Sequence, residues 1–298
     1  MIRIDDLSET NDNIKKEFVE EFKVYIVNNI RSYSHANFNS WVIETFTPET
    51  SNKSQPNRYF AADTEYNTAF SHWVFETAIY LPLFKKLKSI YPDLKLYLQN
   101  MRQYKNLFCK YFGIDDKDIT YKFDTSMQSI CYFPSPISAL NEKSLPPKYV
   151  DYVNKFMDYF IDTENKTTYS VNIMPRQIKE NFIHNDRQIP FNQIIESTNS
   201  IPDRIITNTD SIDNLQSQIN AVRFSKINVF TDGSPFLVNG MFSYNKHVIV
   251  SGSMCTDSQS AAYHKLGYVR QRIINQNKSV SFIPGQEDTV QKIMSLLN

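Results

Sequence analysis

The sequence predicts an α/β protein built as two Rossmann-like domains, with parallel sheets facing one another across a cleft. Three observations lead there. Short apolar runs of strand length alternate with amphipathic helical segments. The alternation occurs twice, on either side of a polar segment where Pro134, Pro136, Pro146 and Pro147 cluster. The 298 residues also suffice for two domains of ordinary size. The expected domains are 1–145 and 146–298, with ligands at the carboxyl ends of the strands and in the cleft between.

Residues 13–31 read as an amphipathic helix, because Ile14, Phe18, Phe22, Val24, Ile26 and Val27 recur among charges. A Ser/Asn/Pro-rich loop follows over 48–57. A strand is expected over 58–63, then a long helical segment over 67–90. Its apolar face is Phe70, Val74, Phe75, Ile79, Phe84 and Leu87, and Pro82 should kink or interrupt it. Further strands are expected over 94–98, 119–123 and 129–133, with a helix over 103–112 capped by Gly113. A helix over 149–161 is placed to bridge the domains.

The second half repeats the rhythm. Strands are expected over 169–174, 204–207, 227–230 and 247–250. Helices are expected over 191–196, 211–224, from 235 to Met241, and 289–297. Ile212, Leu215, Ile219 and Val222 give the helix over 211–224 its spacing, and Asp210 or Ser211 can cap it.

Composition narrows the function classes. Lys plus Arg number 32, as do Asp plus Glu, so the chain has no net field for general nucleic-acid binding and no sign of a polybasic membrane anchor. Local basic patches stay open. The charged start of the chain is no signal peptide, and no apolar run is long enough to span a membrane. Cys109, Cys131 and Cys255 form no C-x-x-C pair and read as reduced thiols, so a cytoplasmic location is expected.

Three groups of residues can carry chemistry. His72 and Glu76 are one helical turn apart, where a carboxylate can orient an imidazole as a general base. The same spacing also fits a plain solvated pair. Arg176, Lys179 and Arg187 follow the strand over 169–174 and can grip phosphate oxygens, or can line a polar surface loop. Thr231-Asp232-Gly233-Ser234-Pro235 lies between a strand and a helix, where Gly233 permits close approach and free N–H groups can bind an anion. It also makes an ordinary βα turn. There is no G-x-S-x-G, H-E-x-x-H, P-loop or G-x-G-x-x-G. Asp63-Thr64-Glu65 is a loose acidic pattern that reads better as a strand-end turn than as a metal site.

The order of these segments resembles glycosyltransferase family 61. The likeness runs from about residue 58 to 250. It rests on His72-Trp73-Val74-Phe75-Glu76 with Pro82 downstream, Tyr91-Pro92-Asp93-Leu94, Phe112-Gly113-Ile114, Pro175-Arg176, and Gln218 followed by Gly233-Ser234, Asn239 and Phe242. The resemblance implies a GT-B-like architecture and inverting transfer from a nucleotide-sugar donor to a glycan acceptor, with the last helix packing back on the first domain. His72 or Glu76 is then the base. Arg176, Lys179, Arg187, Asp232, Gly233, Ser234 and Asn239 hold the donor. No cofactor is required by this scheme, no metal ligands are assigned, and no nucleic-acid partner or integral membrane segment is expected. The alternative is a non-catalytic glycan- or nucleotide-binding protein that keeps the fold.

Overall fold

The computed structural model describes residues 2–5, 15–19, 22–36, 40–48, 55–63, 70–134, 167–175, 191–209, 215–233, 235–252 and 267–298. The protein is α/β, with parallel strands and several helices, and divides into two compact units, Met1–Ala139 and Leu140–Asn298. Pro136, Pro146, Pro147 and the helix expected over 149–161 lie outside the described residues.

The first unit begins with strands β1 (Ile2–Asp5), β2 (Lys15–Val19), β3 (Phe22–Asn28), β4 (Ile30–Ala36) and β5 (Ser40–Thr45). The helix expected over 13–31 is therefore replaced by an antiparallel hairpin of β2 and β3. The physical reason lies in burial. Val24 and Tyr25 are consecutive, point to opposite faces of β3, and are both buried, as is Val27. A strand covered on both sides loses its polar alternation, and its apolar run then mimics a helix.

Next come β6 (Asn57–Ala61), α1 (Phe70–Glu76), α2 (Leu81–Ile90), β7 (Lys95–Tyr97), α3 (Gln103–Tyr111), β8 (Ile119–Thr120) and β9 (Ser129–Pro134). A six-stranded sheet has the order β2-β3-β9-β6-β7-β8. Its β9, β6, β7 and β8 are mutually parallel, and β3 joins β9 antiparallel. Strands β1, β5 and β4 form a separate antiparallel sheet.

One face of the six-stranded sheet is covered by strands. Ile30, Tyr33 and Ile43 of the small sheet pack on Tyr25, Val27, Tyr59, Ala61, Cys131 and Phe133. The opposite face carries Phe60 against Phe84 of α2 at 5.9 Å and Tyr132 stacked on Tyr91 at 5.5 Å.

The long helical segment is broken, but at Thr77 rather than at Pro82. A 3₁₀ turn over Ala78–Tyr80 separates α1 from α2. Pro82 falls in the first turn of α2, where its missing N–H leaves no bond unmade. The Thr77 hydroxyl donates to the Ala62 carbonyl at 3.0 Å, tying the break to the end of β6. Helix α3 ends as expected: Gly113 has φ 62°, its N–H bonds the Lys110 carbonyl, and Ile114 N–H bonds the Cys109 carbonyl.

The second unit contains β10 (Tyr169–Met174), α4 (Asn192–Ser197), β11 (Arg204–Ile206), α5 (Leu215–Phe224), β12 (Ser225–Thr231), β13 (His247–Ser251), α6 (Gly267–Gln276), β14 (Ser279–Ile283) and α7 (Gln286–Leu297). Its five strands are all parallel, in the order β11-β10-β12-β13-β14. Alternation along them separates two faces. Val171, Ile173, Ile227, Val229 and Ile249 meet Ile194 of α4 and Ile293 of α7 in one apolar cluster. Helix α7 contributes its buried Ile293 to this core.

On the other face Asn172 and Asn228 sit side by side in register. Asn172 donates to Asn228 at 3.0 Å, Thr207 donates to Asn172 at 2.6 Å, and Asn228 donates to the Val222 carbonyl of α5 at 3.0 Å. These buried amides thus have partners, as a buried polar group requires.

Candidate functional site

In the second unit β10 connects to β11 on one side, whereas β12 continues to β13 on the other. The crossovers therefore diverge between the carboxyl ends of β10 and β12. In open parallel sheets that crevice is where ligands bind. Threonines fix the backbone there: Thr231 reaches the Met174 carbonyl at 3.4 Å, and Thr209 the Pro175 carbonyl at 3.0 Å. Arg176 directly follows Pro175. Arg176, Lys179, Arg187 and Ser234 lie outside the described residues.

Asp232 and Gly233 form the turn that leaves β12. Gly233 has φ 101°, a conformation that side chains resist. Its N–H donates to the carboxylate of Asp232 at 2.8 Å, and its carbonyl accepts from Leu237 N–H at 2.9 Å. The turn leads into a five-residue π-helix, Pro235–Asn239. The Gly233 N–H is already engaged by an acidic side chain, and the short π-turn supplies little helix dipole. Asp232 makes this turn a better acceptor for hydroxyl groups than a donor to phosphate.

Asn239 closes the π-helix, buried against α5. Its amide donates to Gln218 at 3.3 Å, and its oxygen has no partner among the described residues. Asn239 thus links the π-helix to α5.

One cation has no counterpart among the residues the sequence singled out. Arg270, in the first turn of α6, is buried with its guanidinium 4.0 Å from the ring centre of Phe282. Phe282 meets Phe236 of the π-helix edge-on at 5.8 Å. Phe282 is near the carboxyl end of β14, so the cation stands at the carboxyl edge of the sheet. An arginine among Gln, Asn and Ile belongs to no motif, so its surroundings in the sequence carried no signal.

In the first unit the parallel strands β9-β6-β7-β8 diverge between β6 and β9. Asp63 lies just past the end of β6 and is fully buried. Its carboxylate accepts from Lys105 Nζ at 2.6 Å and from Gln99 N–H at 2.9 Å, and its backbone carbonyl accepts from the Tyr33 hydroxyl at 2.5 Å. Burial lowers the pKa of Lys105, and the nearby Asp63 charge partly restores it. Burial, then Asp63, pushes Tyr33 well up. The Asp63 carboxylate thus ties the ends of β6 and β7 to α3. Thr64 and Glu65 lie outside the described residues.

Helix α1 places His72 and Glu76 one turn apart along its backbone; their side chains lie outside the described residues. Between them Trp73 is fully buried, packed on Tyr104 at 5.7 Å and Phe108 at 5.2 Å of α3. The helix is therefore anchored through Trp73, beside the Asp63–Lys105 pair carried by the next residue of α3.

No protein-family model matches this chain, and no curated protein matches it.

Proposed function

We propose that the protein is an inverting glycosyltransferase that moves a sugar from a nucleotide-sugar donor to a hydroxyl of a glycan acceptor. The observation that carries the ligand half of this reading is the divergence of crossovers between β10 and β12, with Pro175 at one strand end and Asp232-Gly233 at the other. The transfer half rests on the resemblance of the His72-to-Glu76 segment and of its order with Arg176 and Gly233 to glycosyltransferase family 61. A GT-B-like pairing of the two units belongs to this proposal.

In this scheme the donor diphosphate is neutralised by Arg176, Lys179 and Arg187. Preorganised donors aimed at the charge on the departing diphosphate are each worth ~3 kcal/mol. Asp232 accepts from hydroxyls of the ribose or sugar. His72 takes the acceptor proton with Glu76 orienting it, or Glu76 is itself the base. The nucleotide-sugar is a substrate, so no resident cofactor is invoked.

The test is incubation with a panel of UDP, GDP, CMP and TDP sugars, measuring free nucleotide with and without glycan acceptors. Acceptor-stimulated release is expected. His72→Ala should slow turnover roughly 10²–10⁴-fold while leaving donor affinity unchanged; unaltered turnover removes His72 as the base. Arg176→Ala should weaken nucleotide binding measured by calorimetry. Binding without release would assign a non-catalytic nucleotide- or glycan-binding protein instead.

A further inference from the structure

The edge of the second unit's sheet opposite the candidate site carries a row of cations. In the parallel register Ile227 stands beside His247, and His247 beside Ser279. The residues immediately before them, Lys226, Lys246 and Lys278, therefore enter three neighbouring strands abreast. The backbone holds the row together: Lys278 N–H donates to the Lys246 carbonyl at 2.8 Å. Neighbouring strands are about 4.8 Å apart, so the lysines leave the sheet at that spacing. Arg223 lies in the last turn of α5, three residues before Lys226.

These charges act on one another. Burial, then Lys278 and Arg223, lowers the pKa of Lys246; burial, then Lys278 and Lys292, lowers that of His247. Among the described residues, no carboxylate forms an ion pair with Arg223, Lys226, Lys246, Lys278 or Lys292. Lys226 and Lys278 are exposed. Beside the row, Tyr244 is 72% exposed, next to a turn where Asn245 takes φ 55°. Like charges abreast on adjacent strands oppose folding. Nothing in the fold requires them, and an anionic partner would relieve them.

We propose that this amino-terminal edge, built on Arg223, Lys226, Lys246, Lys278 and Lys292 with Tyr244 beside them, docks the protein on an anionic lipid surface. Five clustered cations match the size of patch that recognises anionic headgroups. An exposed tyrosine next to them is the side chain that settles at headgroup level. The row is short, and the chain has zero net charge, so the long-range field that gathers nucleic acid is missing. Docking by this edge turns the carboxyl edge of the sheet away from the lipid. A strand of five residues, as in β13, holds that edge about 17 Å from the lipid.

The test is co-sedimentation of the full chain with vesicles of phosphatidylglycerol and phosphatidylcholine in equal parts, against vesicles of phosphatidylcholine alone. Binding to the first and not the second is expected, falling as salt is raised. Each lysine should contribute about five-fold, so Lys226→Gln/Lys246→Gln/Lys278→Gln should weaken binding roughly a hundred-fold. The double variant Lys226→Gln/Lys278→Gln, at two exposed positions, should still lose about twenty-five-fold and keeps the test valid if the triple variant misfolds. Failure of the wild-type chain to sediment with the anionic vesicles overturns the proposal. So does equal binding by the variants. So does binding of a single-stranded oligonucleotide in place of vesicles, which would assign a nucleic-acid face.

Discussion

Replacing Lys105 with methionine would remove the ammonium partner of the buried Asp63 carboxylate. The pair is closed at 2.6 Å, and the two side chains are 1% and 0% exposed, so water cannot take over the lost partner. Gln99 N–H would still reach Asp63 Oδ2 at 2.9 Å, but it carries no net charge. Breaking one side of a buried pair costs about 3–5 kcal/mol. At about 3 °C per kcal/mol for a unit of this size, the midpoint should fall by roughly 10–15 °C. The assay is intrinsic fluorescence during thermal unfolding. Both of the chain's tryptophans, Trp41 and Trp73, belong to the first unit, so the signal reports that unit by itself. Removing both charges in Asp63→Asn/Lys105→Met should recover much of the loss, because no uncompensated ion remains. A Lys105→Met midpoint within about 2 °C of wild type would refute the reasoning, since the cost of breaking a buried pair is several times larger.

Three further outcomes are expected. Gly233→Ala should destabilise the second unit by about 1–2 kcal/mol, because φ 101° is closed to a residue with a Cβ; an unchanged urea midpoint in a probe of that unit would show that the turn relaxes freely. His247 has its pKa lowered by burial and by Lys278 and Lys292, so its neutral form is favoured on folding. The unfolded chain then binds the extra proton, and the associated stability is complete above the unfolded value of 6.5 and lost as pH falls through the lower folded value. The melting temperature of wild type should therefore drop more than that of His247→Asn between about pH 7 and about pH 5, and parallel curves would rule this out. The buried thiol of Cys109 is pushed up to about 12, by burial first and the Asp63 charge second, and Cys131 is pushed up by burial. Iodoacetamide at neutral pH should leave both unlabelled until denaturant is added, whereas rapid labelling of the native chain, located by peptide mapping, would contradict that burial.

Part of the local order of the second unit was determined by the sequence alone. Strand β10 lies where its apolar alternation puts it, and α5, β12, β13 and α7 follow from helical spacing and β-branched runs whose signals lie within a few residues. Gly113 likewise announces the end of α3, because only a left-handed residue closes that turn without strain. Neither α6 nor β14 was read from the sequence; Arg270, Gln271, Arg272, Asn275 and Gln276 dilute the apolar face of α6. Strand β3 was misleading, because burial on both sides erased the alternation that marks a strand.

Only the tertiary structure decided what lies next to what. Asp63 looked like the start of a strand-end turn, and a residue of α3 far along the chain makes it half of a buried pair. Gly233 looked like an open anion donor, until the Asp232 carboxylate took its N–H. The lysine row shows the cause most plainly. Lys226, Lys246 and Lys278 are scattered through a chain of zero net charge, and a parallel sheet brings them abreast because its register aligns the strand starts. Periodicity is a local property that the sequence carries. Partnership between distant residues depends on strand order and register, which are settled by packing across the whole sheet.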